Sequence, residues 1–133
     1  MASPTSLGPV LRLGAARLRT GTCSWTDPTL VKETDWYPRR SMSAAGRLAF
    51  YAATFSVVEA DGTYYWPPSP ELARGWVERT PPGFRMNVKA YSLMTHHPTS
   101  PKSLWEDLRK ALPEEGAAKR NLYARHLPEE LLD

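Results

Sequence analysis

Two short strand-like runs, FSVVEA at Phe55–Ala60 and FRMNVKA at Phe84–Ala90, flank SPELARGWVERT, which carries Leu72 and Trp76 at helical spacing. A strand, a helix and a second strand joined by connections of crossover length predict parallel pairing with the helix packed on one face. Alternation then assigns the faces, because successive strand side chains point oppositely. Val58 and Ala60 are expected against the helix layer, with Val57, Glu59 and Asp61 on the other side. In the second run Phe84, Met86, Val88 and Ala90 share a face, leaving Arg85, Asn87 and Lys89 opposite.

The rest of the chain extends this pattern into an α/β fold. Leu18–Cys23 (LRTGTC) is expected as a short first strand ending in a loop at SWTDP, punctuated by Asp27 and Pro28. In SMSAAGRLAFYAATF, Ala45, Leu48, Ala52 and Phe55 mark an amphipathic helix with Ser41 or Ser43 as its cap. Ser69 can cap the next helix, Pro70 suits its first turn and Glu71 complements its dipole, while Pro81, Pro82 and Gly83 end it. Leu104, Leu108 and Ala111 or Leu112 predict a helix within SPKSLWEDLRKAL, and Pro128 opens another in PEELLD. A helix of about six residues is short of the usual three turns. Its Leu131 and Leu132 would have little to pack against, so the chain is expected to be a truncated version of a larger protein.

Composition narrows the classes. At 133 residues, with 41% hydrophobic and 23% charged, the chain reads as one globular domain. Its 17 basic and 14 acidic residues permit nucleic-acid binding without indicating it. No run approaches the roughly 18 apolar residues of a membrane span, so no membrane partner is expected. The first 26 residues hold no acid and include Arg12, Arg17 and Arg19. They lack the apolar run of a secretory signal; an organellar transit peptide shares their composition, but a disordered lead-in from Met1 to about Leu13 is preferred. The single cysteine, Cys23, excludes an internal disulfide and favours a reducing, cytoplasmic location.

GTCSWTDP, then WYP, then RLAFYAATFSVVEADGTYYWPPSPELARGWVERTPPGFRMNVKA, and finally LMTHHP resemble the amino-terminal half of the YecE-like family, domain of unknown function 72. The likeness spans about Leu18–Asp133. It implies an incomplete TIM-type (β/α) barrel, with parallel strands and crossover helices, truncated after the third strand. Residues 1–17 are then a disordered or irregular lead-in and residues 18–133 the amino-terminal portion of the barrel. One departure stands out: the family's usual GTSGW pattern has Ser-Gly where this chain has Cys23-Ser24. In such barrels the site lies at the carboxyl ends of the strands.

Those tips supply the candidate residues. Trp25 follows the first strand as an indole at a pocket mouth. At the second, Glu59 is the interior acid, and an acid there needs a partner to stay ionised. Lys89 on the neighbouring strand is the expected partner, with Asn87 on the same face. An interior Glu59–Lys89 pair can be structural or functional. Family likeness singles out His96 of LMTHHP as ligand or general acid and base, and Thr63 and Tyr65 through a Thr-x-Tyr pattern. Adjacent histidines in an extended segment point to opposite sides and seldom bind one metal together; because the likeness singles out His96 and not both, His97 is assigned to solvent. Glu59, Asp61 and His96 could meet a cation, but no metal-ligand spacing is present, no metal is expected and no cofactor is identified.

Several functions stay open. The chain as given is expected to be a fragment without independent activity, with a complementary carboxyl-terminal half as a partner. A complete relative could be a hydrolase acting on a phosphate-containing or nucleic-acid substrate, with Glu59, Lys89 and His96 catalytic. Alternatively the domain binds a small molecule or a partner and performs no chemistry. Fold resemblance does not decide between these.

Overall fold

The structure, a computed structural model, describes residues 6–131. The elements run in the order β1 (Val10–Leu13), β2 (Ala16–Arg19), α1 (Pro28–Lys32), α2 (Ala44–Thr54), β3 (Val57–Ala60), α3 (Pro70–Glu78), β4 (Arg85–Val88), α4 (Glu106–Ala111) and α5 (Glu114–Ala117), with short 3-10 turns between some of them. They divide into two compact units. The first takes the residues up to Asp61 together with Pro68–Val88; the second takes Gly62–Pro67 and the chain from Lys89 onward.

In the first unit β3 and β4 pair in parallel, with Val57, Val58, Glu59 and Ala60 opposite Arg85, Met86, Asn87 and Val88. The chain at Thr22–Ser24 joins them through one parallel bridge, Cys23 to Glu59. Ser24 N–H donates to the Glu59 carbonyl at 2.9 Å and Glu59 N–H to that of Thr22 at 3.1 Å. Close approach here depends on Gly21, where a Cβ would lie 1.9 Å from the Val57 carbonyl oxygen. Val58 and Ala60 are buried with Trp25, Leu48 and Tyr51, as the alternation predicts. Tyr51, fully buried, accepts from Thr22 N–H at 2.6 Å and donates to the Val57 carbonyl at 3.2 Å, so its polar end is satisfied inside an apolar core.

Helices α2 and α3 start where the sequence predicts and differ in detail. Ser43 caps α2 by accepting from Gly46 N–H, and Ser69 caps α3 by accepting from Leu72 N–H, with Pro70 in the first turn. Trp76 packs against the core, but Leu72 stays 51% exposed, so the face predicted for α3 is only partly covered. The expected loop at SWTDP runs directly into an unpredicted helix, α1. Asp27 Oδ1 accepts from Thr29 and Leu30 N–H, and Pro28 holds the first turn, a start signal written in the Asp-Pro pair.

Three strand expectations need correction. The predicted first strand, Leu18–Cys23, is divided: β2 pairs antiparallel with β1, and only Cys23 bridges to β3. Gly14, at φ 60, permits the two-residue turn that folds Val10–Leu13 back into a hairpin where an irregular lead-in was expected. Residues 1–5 of that lead-in lie outside the described residues. The last strand ends at Val88, before Lys89 and Ala90, and Val88 is 60% exposed rather than packed. The described residues form a mixed α/β arrangement of two two-stranded sheets, not a closed barrel.

The second unit contains no named strand among the described residues. Leu93, Leu104, Leu112 and Leu122 form its core, with Tyr91, Leu108 and Leu127 packed against it. Thr99 and Leu122 make an antiparallel bridge. Hydroxyl pairs support it: Ser92 Oγ and Thr99 Oγ1 lie 2.7 Å apart, and Tyr91 OH and Ser103 Oγ 2.6 Å apart. The helix expected from Leu104 begins at Glu106, because a 3-10 turn over Pro101–Ser103 carries Leu104 into the core ahead of it. PEELLD forms a 3-10 turn at Glu129–Leu131, and Leu132 lies outside the described residues.

Candidate functional site

Parallel register makes the most coherent polar surface of the first unit. Cys23 bridges Glu59, and Glu59 stands opposite Asn87. In-register residues of neighbouring extended segments point to the same side, so thiol, carboxylate and carboxamide form one row. The Cys23 Sγ–H donates to Glu59 Oε1 at 3.5 Å. Glu59 is half-buried, whereas Cys23 and Asn87 are exposed. Local sequence explains the placement: Val58 and Ala60 anchor β3 on the core side and thereby turn Glu59 to the other.

At the end of the row, Ser24 adopts φ 69, a left-handed conformation that favours glycine. This is the position where the chain departs from the family's glycine. Its hydroxyl lies 3.2 Å from Thr26 Oγ1 and accepts from Thr26 N–H at 3.1 Å, ties that help to hold the turn. Trp25 points away from the row, into the core. It is 8% exposed, its indole N–H donates to the Ala44 carbonyl at 3.1 Å, and it meets Trp76 edge-on at 5.6 Å.

The first unit also has two apolar clefts. One, of about 590 Å³, is lined by Trp25, Leu48, Leu72 and Trp76 among others. The other, of about 660 Å³, is lined by Trp76, Val77, Phe84, Met86 and Val88 among others. Cys23, Glu59 and Asn87 line neither, so the polar row and the clefts are separate features.

The remaining sequence candidates belong to the second unit. Thr63 is buried and its hydroxyl donates to the Lys89 carbonyl at 2.8 Å, which ties the turn after β3 to the chain after β4. Tyr65 is 60% exposed and edge-on to Tyr64 at 5.0 Å. Lys89 is exposed. His96 is exposed at φ 59, ending the 3-10 turn Ser92–Thr95. His97, assigned to solvent by the sequence, is exposed too but has partners: its Nδ1 lies 2.9 Å from Thr95 Oγ1 and its ring meets Tyr64 edge-on at 5.7 Å. The sequence contains no signal for that contact, since the turn that brings Tyr64 to His97 is tertiary.

Among the described residues, no group of three or more His, Cys, Asp or Glu side chains could hold a metal ion, and no helix is long and apolar enough to cross a membrane. Neither a curated protein nor a solved structure matches the chain. A family model described as protein of unknown function DUF72 does match, over residues 19–129, a span that includes Cys23, Glu59, Asn87, Lys89 and His96. The chain therefore belongs to the DUF72, or YecE-like, family.

Proposed function

We propose that the chain supplies part of a binding site for a small hydroxylated molecule, at the strand tips of a TIM-type (β/α) barrel acting in the cytoplasm. Residues 18–133 are its amino-terminal portion. Support comes from the row Cys23–Glu59–Asn87: a carboxylate flanked by a carboxamide offers acceptors and donors to hydroxyl groups, whereas an anionic ligand would meet the carboxylate's charge. Glu59 is the central group and Asn87 its neighbour. Lys89, Thr63, Tyr65 and His96 join the proposal from the sequence, whereas Trp25, turned into the core, does not. The chain alone performs no turnover. The outer edge of β4, which pairs with no strand among the described residues, suits a strand from a complementary carboxyl-terminal half.

Calorimetric titration with a panel of monosaccharides and nucleosides tests this. Saturable binding without turnover is expected, weakened by Glu59→Gln roughly tenfold to a hundredfold, as for a lost charge-assisted hydrogen bond. Unchanged binding in Glu59→Gln would remove the acid from the site.

A second reading, hydrolysis of a phosphate-containing or nucleic-acid substrate by Glu59, Lys89 and His96, draws on the backbone. Ser24 and His96, both at sequence-predicted tips, hold positive φ, and such strain concentrates at functional sites. Turnover of a phosphodiester that His96→Ala abolishes would favour hydrolysis over binding alone.

A further inference from the structure

The β1–β2 hairpin combines two features that are unfavourable in water. Its tip, Leu13-Gly14-Ala15-Ala16, supplies the glycine the turn needs but carries no polar side chain to meet water. Every residue from Leu11 to Leu18 is exposed, with Leu11 at 59%, Leu13 at 71% and Leu18 at 46%. Register puts Leu11 opposite Leu18 and Leu13 opposite Ala16 on one face. On the other, Arg12 stands directly opposite Arg17. Like charges so placed repel, and neither arginine has an ion pair among the described residues.

The hairpin's base, in contrast, is held. Ser56 Oγ donates to the Pro9 carbonyl at 2.8 Å, and Arg19 Nη1 donates to the carbonyls of Ser56 at 3.1 Å and Gly83 at 3.0 Å. An apolar tip on a fixed base, collared by two arginines, is complementary to one environment above others. At an anionic bilayer surface the leucines enter the boundary of the acyl region while the arginines extend to the phosphates. A second copy of the chain would cover the leucines but leave Arg12 and Arg17 uncompensated. Nucleic acid would compensate the arginines and leave the leucines in water.

We propose that the β1–β2 hairpin is a peripheral docking element for anionic lipid surfaces, with Leu13 at its inserted tip and Arg12 and Arg17 at the headgroups. Membrane attachment of this kind needs no spanning segment and is independent of the Glu59 site.

Co-sedimentation of the full chain with phosphatidylcholine vesicles, with and without phosphatidylserine, tests the proposal. Sedimentation is expected only with phosphatidylserine, falling as salt is raised. Arg12→Gln with Arg17→Gln should lower partitioning roughly tenfold or more, and Leu13→Ser severalfold. In Leu13→Trp, brominated lipid should quench fluorescence beyond the wild-type level, a readout that keeps the hairpin intact. The proposal is overturned by equal sedimentation without vesicles, by none with phosphatidylserine, or by loss on the arginine substitutions with no loss on Leu13→Ser, the pattern of a purely electrostatic surface.

Discussion

The two units of this chain solve the same problem with different means. In the first, a parallel strand pair and α2 enclose aromatic residues, and Trp36 alone makes ring contacts with Tyr37, Phe50, Tyr51 and Phe55. In the second, four leucines and a set of paired hydroxyls hold short helices and turns together. The difference bears on function. The β3–β4 register sets Asn87 beside Glu59 and one parallel bridge sets Cys23 beside it, so that row is held by backbone pairing. Tyr65 and His96 sit instead on or beside turns, where position follows local backbone geometry.

The largest expected effect tests whether register is what organises the first unit. Gly21→Ala would force a Cβ into the Val57 carbonyl and should destabilise by about 3 kcal/mol or more. Hydrogen exchange should show the loss at Thr22–Ser24 and β3; protection there equal to wild type would mean that the close approach is dispensable.

An intermediate effect compares a buried tyrosine of the first unit, Tyr37, with a half-buried one of the second, Tyr91. Burial pushes the Tyr37 hydroxyl up to about 12, partly opposed by Arg47 and reinforced by Tyr51, and its O–H donates to the Trp25 carbonyl at 2.5 Å. Burial also raises Tyr91, against the lowering effect of its hydrogen bond to Ser103. Because the folded value exceeds the unfolded one, the neutral form is favoured in the fold. Its contribution is complete below about pH 10 and is lost as pH rises through about 12, amounting to roughly 2–3 kcal/mol for Tyr37. Urea midpoints measured across this range should fall more steeply in wild type than in Tyr37→Phe. Equal slopes would contradict the assignment. Tyr91→Phe should flatten the curve in the same direction.

The smallest effect has the opposite sign. Ser24→Gly relieves a left-handed φ of 69 and should stabilise by about 0.5–1 kcal/mol, net of the greater unfolded-state freedom of glycine. A loss of stability would show that the serine hydroxyl's contacts with Thr26 outweigh the backbone cost.

Local signals were strong wherever one residue type has one physical use. Ser43 and Ser69 as caps, Pro70 in a first turn, and Val58 and Ala60 as the buried side of β3 are legible because capping and alternation act within a few residues. Asp27-Pro28 reads as loop punctuation; the pair also suits a helix start, and only the hydrogen bonds of Asp27 decide. Leu72 shows the limit of periodicity: helical spacing identifies a face, but not how much of it will be covered.

Sequence by itself determined the α/β succession, the caps, the faces of β3 and, through its motifs, the family. Only tertiary structure decided which segments pair: that Val10–Leu13 turns back on Ala16–Arg19, that Cys23 lies beside Glu59, and that Asn87 stands opposite it. Helix starts and strand faces follow from neighbours along the chain, whereas pairing depends on distant backbone groups and on the close approach that Gly21 permits.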